Sequence, residues 1–430
     1  MFPGSQGQRQ MQDKHHRALP ILFFTEMWER FSYYGMRGLL IFYLTKHLLM
    51  SDAAAGKIYG AYTALVYLAP LLGGYAADNI LGRIKSVYIG GILMMIGHFS
   101  LALEGIFFFY AGLAFLIFGN GFFKPNMSSL LGELYTEKQT LRESAYTIFY
   151  MGINIGGAFG PLLCGYIGEK YGWHYGFSLA GFGMFIGLVQ FYFGRGLIGN
   201  VGEFKPSAVS EHRDVPLSRS EKNSLVYLAV LGFFALFFWI PYEQMGSAVS
   251  LFTDRKTDRF VFGTEIPASM FQSVNGFMIL MFAPITAGIW TALSKEKKDL
   301  AISSKFILAV ILLGLSYLVL YFGEIFTGNA KTPLIYLMLY YALLTFGELC
   351  ISPVGLSMAV RLAPVKFSVT VVGFWFTANA VSHYVSGWLS GAYSKWFSVH
   401  DFFLFLALVC FGSAVILSVF SRKLEELLNE

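Results

Sequence analysis

Charge is scarce in this chain: Asp, Glu, Lys and Arg make up 13% of its 430 residues, where soluble globular proteins carry about 25%. With 56% of residues hydrophobic and 18% aromatic, that deficit excludes an ordinary soluble domain and points to a polytopic membrane protein. Cysteine is nearly absent. Cys164, Cys350 and Cys410 lie in apolar runs without metal-ligand spacing, so neither a disulfide framework nor a zinc site is indicated. No GxxxxGK[ST] segment accompanies the 46 glycines, and no His-Glu zinc pattern or Ser nucleophile elbow accompanies the acids, which argues against phosphate-binding and hydrolytic chemistry. An enzyme, a cofactor and a resident metal are therefore not expected. The formal charge of +5 does not imply nucleic acid, because the basic residues cluster in alternate short loops.

What is present is a series of apolar runs of about twenty residues, long enough to span a bilayer. Twelve helices are expected, near 18–47, 54–77, 86–104, 106–132, 143–169, 174–197, 223–252, 267–293, 303–325, 332–361, 366–393 and 398–422. An even number leaves both termini on one side. Twenty of the 31 Lys and Arg fall on that side and eight on the other, so both termini are expected in the cytoplasm of an inner membrane protein. The polar residues 1–17 lack a small-residue cleavage site and read as a cytoplasmic tail. The polar stretch 198–222, with two prolines, reads as a cytoplasmic linker between helices 18–197 and 223–422, and 423–430 as a C-terminal tail.

The first run, 18–47, is the anomaly, because it carries Glu26, Glu29, Arg30 and Arg37. Each charge at mid-helix costs about 2.5–3.5 kcal/mol if it faces lipid alone. Glu26, Arg30, Tyr33 and Arg37 recur at i, i+4, i+7 and i+11, one helical stripe with Glu29 and Tyr34 on its shoulder. A structural ion pair between Glu26 and Arg30 accounts for two of the four charges and leaves Glu29 and Arg37 without a purpose. A stripe lining a watery cavity accounts for all of them.

The same residues carry a resemblance. Glu26-x-x-Glu29-Arg30-Phe31-x-Tyr33-Tyr34-Gly35 is similar to the ExxERFxYYG signature of the proton-dependent oligopeptide transporters, a branch of the major facilitator superfamily. YTIFYMGINIGGAF (146–159), with Asn154, resembles that family's fifth-helix signature. FQSVNGF (271–277) resembles its eighth-helix FQSxNPxF, with Gly276 in place of proline. GGYAADNILGRIKS (73–86) resembles the superfamily's cytoplasmic loop motif, in which Asp78 and Arg83 would tie helix ends together. Two departures stand out: the linker is too short for the two extra helices of many bacterial members, and no histidine lies within 54–77.

The resemblance implies an all-α, polytopic major facilitator fold, with twelve transmembrane helices in two six-helix bundles around a central cavity. Weak internal matches agree with it. LFFTEMWER (22–30) lies over LFFWIPYEQ (236–244), and FGNGFFKP (118–125) over FGELCISP (346–353), as a parallel six-plus-six repeat requires.

Beyond the first helix, ionisable residues inside helices are few: Lys124, Glu243 and Glu348. Arg37 and Lys124 on one side of the ledger and Glu348 on the other suit a solute with a carboxylate and an amine. The resemblance implies that Arg37 and Lys124 hold a peptide carboxylate and that Glu348, Asn154 and Asn275 hold the amino terminus. Arg suits the first task through its planar fork. Tyr33, Tyr34, Tyr67 and Trp375 would line the rest, while Trp28 and Phe31 read as packing. Proton coupling falls to Glu26, Glu29, Arg30 and Glu243, whose proton affinity depends on the charges beside them. Glu243 is expected to pair with Arg37 across the two halves, and protonation to break that pair and free Arg37 for peptide. The expected activity is proton-coupled symport of di- and tripeptides through the bilayer by a functional monomer. The alternative is a transporter of the same fold for a non-peptide solute such as nitrate or a peptidomimetic, for which the acid at 348 would have no purpose.

Overall fold

The structure is a computed structural model that describes residues 14–204, 217–296, 300–362, 368–393 and 395–429. The first half of the chain forms α1 (Leu19–Phe42), α2 (Asp52–Ala76), α3 (Arg83–Leu101), α4 (Ile106–Leu134), α5 (Gln139–Tyr171) and α6 (Trp173–Ile198). The second forms α7 (Arg219–Tyr242), the short α8 (Ala248–Lys256), α9 (Ser273–Lys295), α10 (Ile302–Thr327), α11 (Leu334–Leu362), α12 (Ser368–Ser390) and α13 (Val399–Asn429). Among the described residues, ten helical stretches are long and apolar enough to cross a membrane, and the long helices α1 and α12 complete the expected twelve. A two-stranded hairpin, β1 (Phe260–Val261) with β2 (Thr264–Glu265), follows α8 and was not legible in the sequence.

Local chemistry sets the breaks. Ser218 caps α7 by accepting from the Glu221 backbone N–H, while the Glu221 carboxylate accepts from the Ser218 N–H, a capping box. The other end of α7 is disturbed by Pro241, which lacks an N–H and crowds the carbonyl four residues earlier. That carbonyl, on Phe237, receives the Cys410 thiol at 3.9 Å, and the Pro241 carbonyl accepts from the Tyr317 hydroxyl at 2.5 Å. The helix gives way to a single 3₁₀ turn, Glu243–Gly246, before α8 resumes. The span expected to run unbroken over 223–252 is thus interrupted at the one acid it carries in mid-span. Between α5 and α6 only Gly172 intervenes, at φ 133°, a conformation that side chains rarely adopt.

The chain forms two compact units, one of Met1–Arg37 with Ala69–Ala208 and one of Gly38–Leu68 with Val209–Glu430. Within the first, α3 packs most extensively on α4 and then on α6; within the second, α10 packs most extensively on α13 and α11. Third, fourth and sixth spans thus meet as ninth, tenth and twelfth do, the pairing a six-plus-six repeat produces. In the first unit α1 approaches α5 along the glycine ladder 152–156–160. A methyl group added at Gly156 would lie 2.8 Å from the Phe31 amide nitrogen and from the Arg30 Cβ. Such contact, with no side chain between backbones, is how membrane helices gain dispersion energy where lipid offers no hydrophobic drive. In the second unit residues 38–68 are tied down by ion pairs. Lys46 lies 2.6 Å from Asp254, and Arg255 holds both carboxylate oxygens of Asp52 at 2.7 Å.

Candidate functional site

α1 carries its acidic stripe into the interior of the first unit, where Glu26, Glu29 and Arg30 are at most 3% exposed. Arg30 Nε sits 3.0 Å from Glu26 Oε1 and 2.5 Å from Glu29 Oε2, so one guanidinium serves two carboxylates. The Asn120 side-chain amide on α4 donates to Glu29 Oε1 at 3.1 Å. One turn further along α4, Lys124 interacts electrostatically with Arg30, Glu29, Glu26 and Arg37. Arg37 itself is buried, and the Arg30 guanidinium lies 5.6 Å from the centre of the Tyr33 ring. Tyr33 and Tyr34 meet edge to face at 5.1 Å.

The set is costly by construction. Fully ionised, it holds two negative and three positive charges, and breaking a buried ion pair typically costs about 3–5 kcal/mol. Glu26 Oε2, Arg30 Nη2 and Asn120 Oδ1 are buried without a hydrogen-bond partner among the described residues, and an unsatisfied buried group costs about 1–3 kcal/mol. Polar strain of this kind gathers where a protein binds or moves charge.

The second unit holds two acids. Glu348 on α11 accepts at Oε2 from the Tyr242 hydroxyl at 2.8 Å and from the Asn275 amide on α9 at 2.9 Å; the same amide lies 3.1 Å from Thr345 Oγ1. Glu243, on the 3₁₀ turn, has Oε2 3.1 Å from Nδ1 of His383 on α12. The His383 ring lies against Tyr67 with centroids 4.4 Å apart. Beside them Gln244 Nε2 donates to the carbonyl and hydroxyl of Ser386, both at 3.0 Å.

Of the residues the sequence singled out, Glu26, Glu29, Arg30, Tyr33, Tyr34, Arg37 and Lys124 share the first unit's interior, and Asn275 reaches Glu348 in the second. Asn154 spends its amide on the Tyr150 carbonyl of its own helix at 2.9 Å. The side chain of Trp375 lies outside the described residues. Arg83 is paired with Glu133 and lies 3.6 Å from Asp78, in a polar recess closed by the Gly202 backbone, whose N–H donates to Glu133 at 3.0 Å. Asn120, Glu133, Tyr242, Thr345 and His383 were missed. Asn120 and Thr345 had a signal, since they stand four and three residues before Lys124 and Glu348 on the same helical faces. His383 had none, because its partner lies 140 residues away.

The family model described as the POT family matches residues 84–218 and 217–403. The chain belongs to the POT family. Its architecture is that of the major facilitator superfamily, and the protein is a multi-pass membrane transporter, not an enzyme. Among POT relatives, the uncharacterized transporter YclF of Bacillus subtilis (strain 168) is 33% identical over 438 residues, covering 89% of each chain. A di-/tripeptide transporter of Lactococcus lactis subsp. lactis (strain IL1403) is 29% identical, covering 96% of this chain and 97% of its own. The crystal structure of a POT family transporter in complex with 5-aminolevulinic acid superimposes with a TM-score of 0.86 at 30% identity, covering 95% of this chain and 97% of that one.

Proposed function

We propose that this POT family member is a proton-coupled symporter of di- and tripeptides, working by alternating access in the cytoplasmic membrane as a monomer with both termini inside. The observation that carries the reading is the pairing of opposite receptors in one chain. The first unit concentrates cationic groups, Arg37 and Lys124, beside acids that can take a proton. The second presents Glu348, oriented by Asn275 and Tyr242, as a receptor for an ammonium group. A zwitterion is the solute both would serve, and the relative from Lactococcus lactis is a di-/tripeptide transporter. The relative crystallised with 5-aminolevulinic acid binds a small molecule that also carries an amine and a carboxylate.

The proposed roles follow from charge. Arg37 and Lys124 hold the peptide carboxylate, and Glu348 with Asn275 holds the amine. Tyr33, Tyr34, Tyr67 and Trp375 supply walls tolerant of varied side chains, and Asn154 supplies a further polar contact. Glu26, Glu29, Arg30 and Glu243 carry coupling. When a proton neutralises Glu29, Arg30 loses one of its two partners and the net positive charge of the set rises by one, which favours an incoming carboxylate. Loss of the proton on the inside reverses both changes. Each proton driven by 100 mV supplies about 2.3 kcal/mol, enough to concentrate substrate nearly fiftyfold. Arg83, with Asp78 and Glu133, ties helix ends on the cytoplasmic side.

The decisive measurement is dialanine uptake into proteoliposomes with and without an inward proton gradient. Accumulation only with the gradient is the expected result; uptake indifferent to it removes the coupling. In the same vesicles Arg37→Ala should raise the half-saturation for dialanine by about tenfold, the loss of one charge-assisted contact. An unchanged value removes Arg37 from the carboxylate role.

A further inference from the structure

In the symport reading carboxylates carry the coupling proton, since the second helix has no histidine. The second unit nevertheless puts an imidazole against that helix, supplied from α12. His383 is 3% exposed, its Nδ1 is 3.1 Å from Glu243 Oε2, and its ring covers Tyr67 of α2.

We propose that His383 shares the coupling proton with Glu243, so that a histidine–carboxylate pair, and not a carboxylate alone, loads and unloads the proton in this transporter. The inference rests on the symport reading and extends it.

Four features of the site support a working pair over a packed one. Imidazole is the side chain whose ordinary titration, near pH 6.5, falls inside the range a cell's proton gradient spans. Oε2 and Nδ1 lie 3.1 Å apart, in ion-pair contact though not aligned as a hydrogen bond, and titratable groups this close bind and release protons as a unit. An arriving proton turns a carboxylate facing a neutral imidazole into a carboxylate facing an imidazolium, and its departure restores the first state with no other bond changed. The face of Tyr67 stabilises the charged ring as an aromatic surface stabilises any cation.

The backbone around Glu243 is built to respond. Pro241 ends α7, and the following 3₁₀ turn carries Glu243 and Gln244. Gln244 grips Ser386, one turn along α12 from His383. A change of charge on the pair is thereby applied where two helices meet at a break in one of them. Among the described residues, Glu243 on the turn and Tyr67 on α2 are titratable groups that contact His383 within its unit. Glu348 on α11 and Tyr317 on α10 act on Glu243 electrostatically. Glu348 is oriented by Tyr242, the residue before Glu243, so the proton pair and the proposed amine receptor share one short stretch of chain.

The test compares wild type, His383→Asn, His383→Gln, Glu243→Gln and the double variant His383→Asn with Glu243→Gln in proteoliposomes. It measures gradient-driven dialanine uptake across external pH, and dialanine counterflow at equal pH. Asparagine can reach toward Glu243 as Nδ1 does but cannot titrate. His383→Asn should lose about tenfold or more of driven uptake and its pH dependence, while counterflow stays within about threefold of wild type. The double variant should be no worse than either single variant, as for groups acting as one unit. Driven uptake by His383→Asn with wild-type size and pH profile overturns the proposal, as do additive losses in the double variant. Counterflow lost in both His383→Asn and His383→Gln assigns the residue to packing and equally overturns it. Wild-type uptake that ignores the gradient fails earlier and differently: it removes the symport reading, and the inference with it.

Discussion

Asn275 Nδ2 donates to Glu348 Oε2 at 2.9 Å. Glycine follows Asn275 in the chain, where the resembling motif has proline, yet the amide is held in place by both Glu348 and Thr345. The bond fixes which way the carboxylate points, and a receptor for an ammonium group gains affinity from being oriented before the ligand arrives.

Asn275→Ala should therefore weaken dialanine binding without touching the coupling groups. The expected rise in half-saturation is about tenfold, the scale of one hydrogen bond to a charged group. Inhibition by N-acetyl-dialanine, which has no ammonium, should be unchanged by the substitution. Equal losses for both compounds would assign Asn275 to general packing of α9.

Glu29 has one charged and one neutral partner, Arg30 at 2.5 Å and Asn120 at 3.1 Å. Glu29→Gln keeps the shape and the bond to Asn120 but cannot carry a proton or a charge. Driven dialanine uptake should fall by about two orders of magnitude, as when an essential proton-transfer group is removed. Counterflow at equal pH should persist, because exchange needs no net proton movement. Loss of counterflow as well would move Glu29 from coupling to binding or folding.

Much of this was legible in the sequence because membrane helices obey a strict rule. Charges inside apolar runs must have a purpose, so Glu26, Glu29, Arg30, Arg37, Lys124, Glu243 and Glu348 announced themselves by residue type alone. What a one-dimensional pattern could not carry was partnership. Arg30 could be paired with Glu26 from i, i+4 spacing, but Asn120 reaches Glu29 from 91 residues away and His383 reaches Glu243 from 140. Neutral side chains raise no alarm in a hydropathy pattern, and a histidine in an apolar helix reads as one more aromatic. The break at Glu243 was also hidden. Pro241 marks it, but Pro70, Pro125, Pro161 and Pro284 lie within helices that continue.

The glycine ladder on α5 offers a check on the packing alone. Gly156→Leu would push a branched side chain into the Phe31 amide and the Arg30 stem, where even a methyl group lies at 2.8 Å. Overpacking of a filled interface costs about 1–3 kcal/mol. The detergent-purified variant should melt several degrees lower than wild type, and Gly196→Leu, where an added carbon meets nothing within 4 Å, should match wild type. Equal melting of Gly156→Leu and Gly196→Leu would show that α1 and α5 do not meet as described.

The start of α1 makes a pH-dependent prediction outside the membrane. His16 Nδ1 accepts from the Ala18 backbone N–H at 3.1 Å, and the His16 N–H donates to the Tyr135 hydroxyl at 3.1 Å. Only the unprotonated nitrogen can accept, so the imidazole works as an N-terminal cap while neutral. Burial, and then the positive charge of Lys138, lower the His16 pKa. The unfolded end therefore binds more protons than the folded one. Stability from this contact is fully present above the ordinary histidine value and is lost progressively as pH falls from there through the lowered folded value. Hydrogen exchange over residues 16–22, corrected for intrinsic rates, should accelerate as pH drops from about 7.5 to about 5.5, across the ordinary imidazole range. In His16→Asn, whose side-chain oxygen caps at either pH, the acceleration should vanish. Acceleration that persists in His16→Asn would place the pH-sensitive group elsewhere.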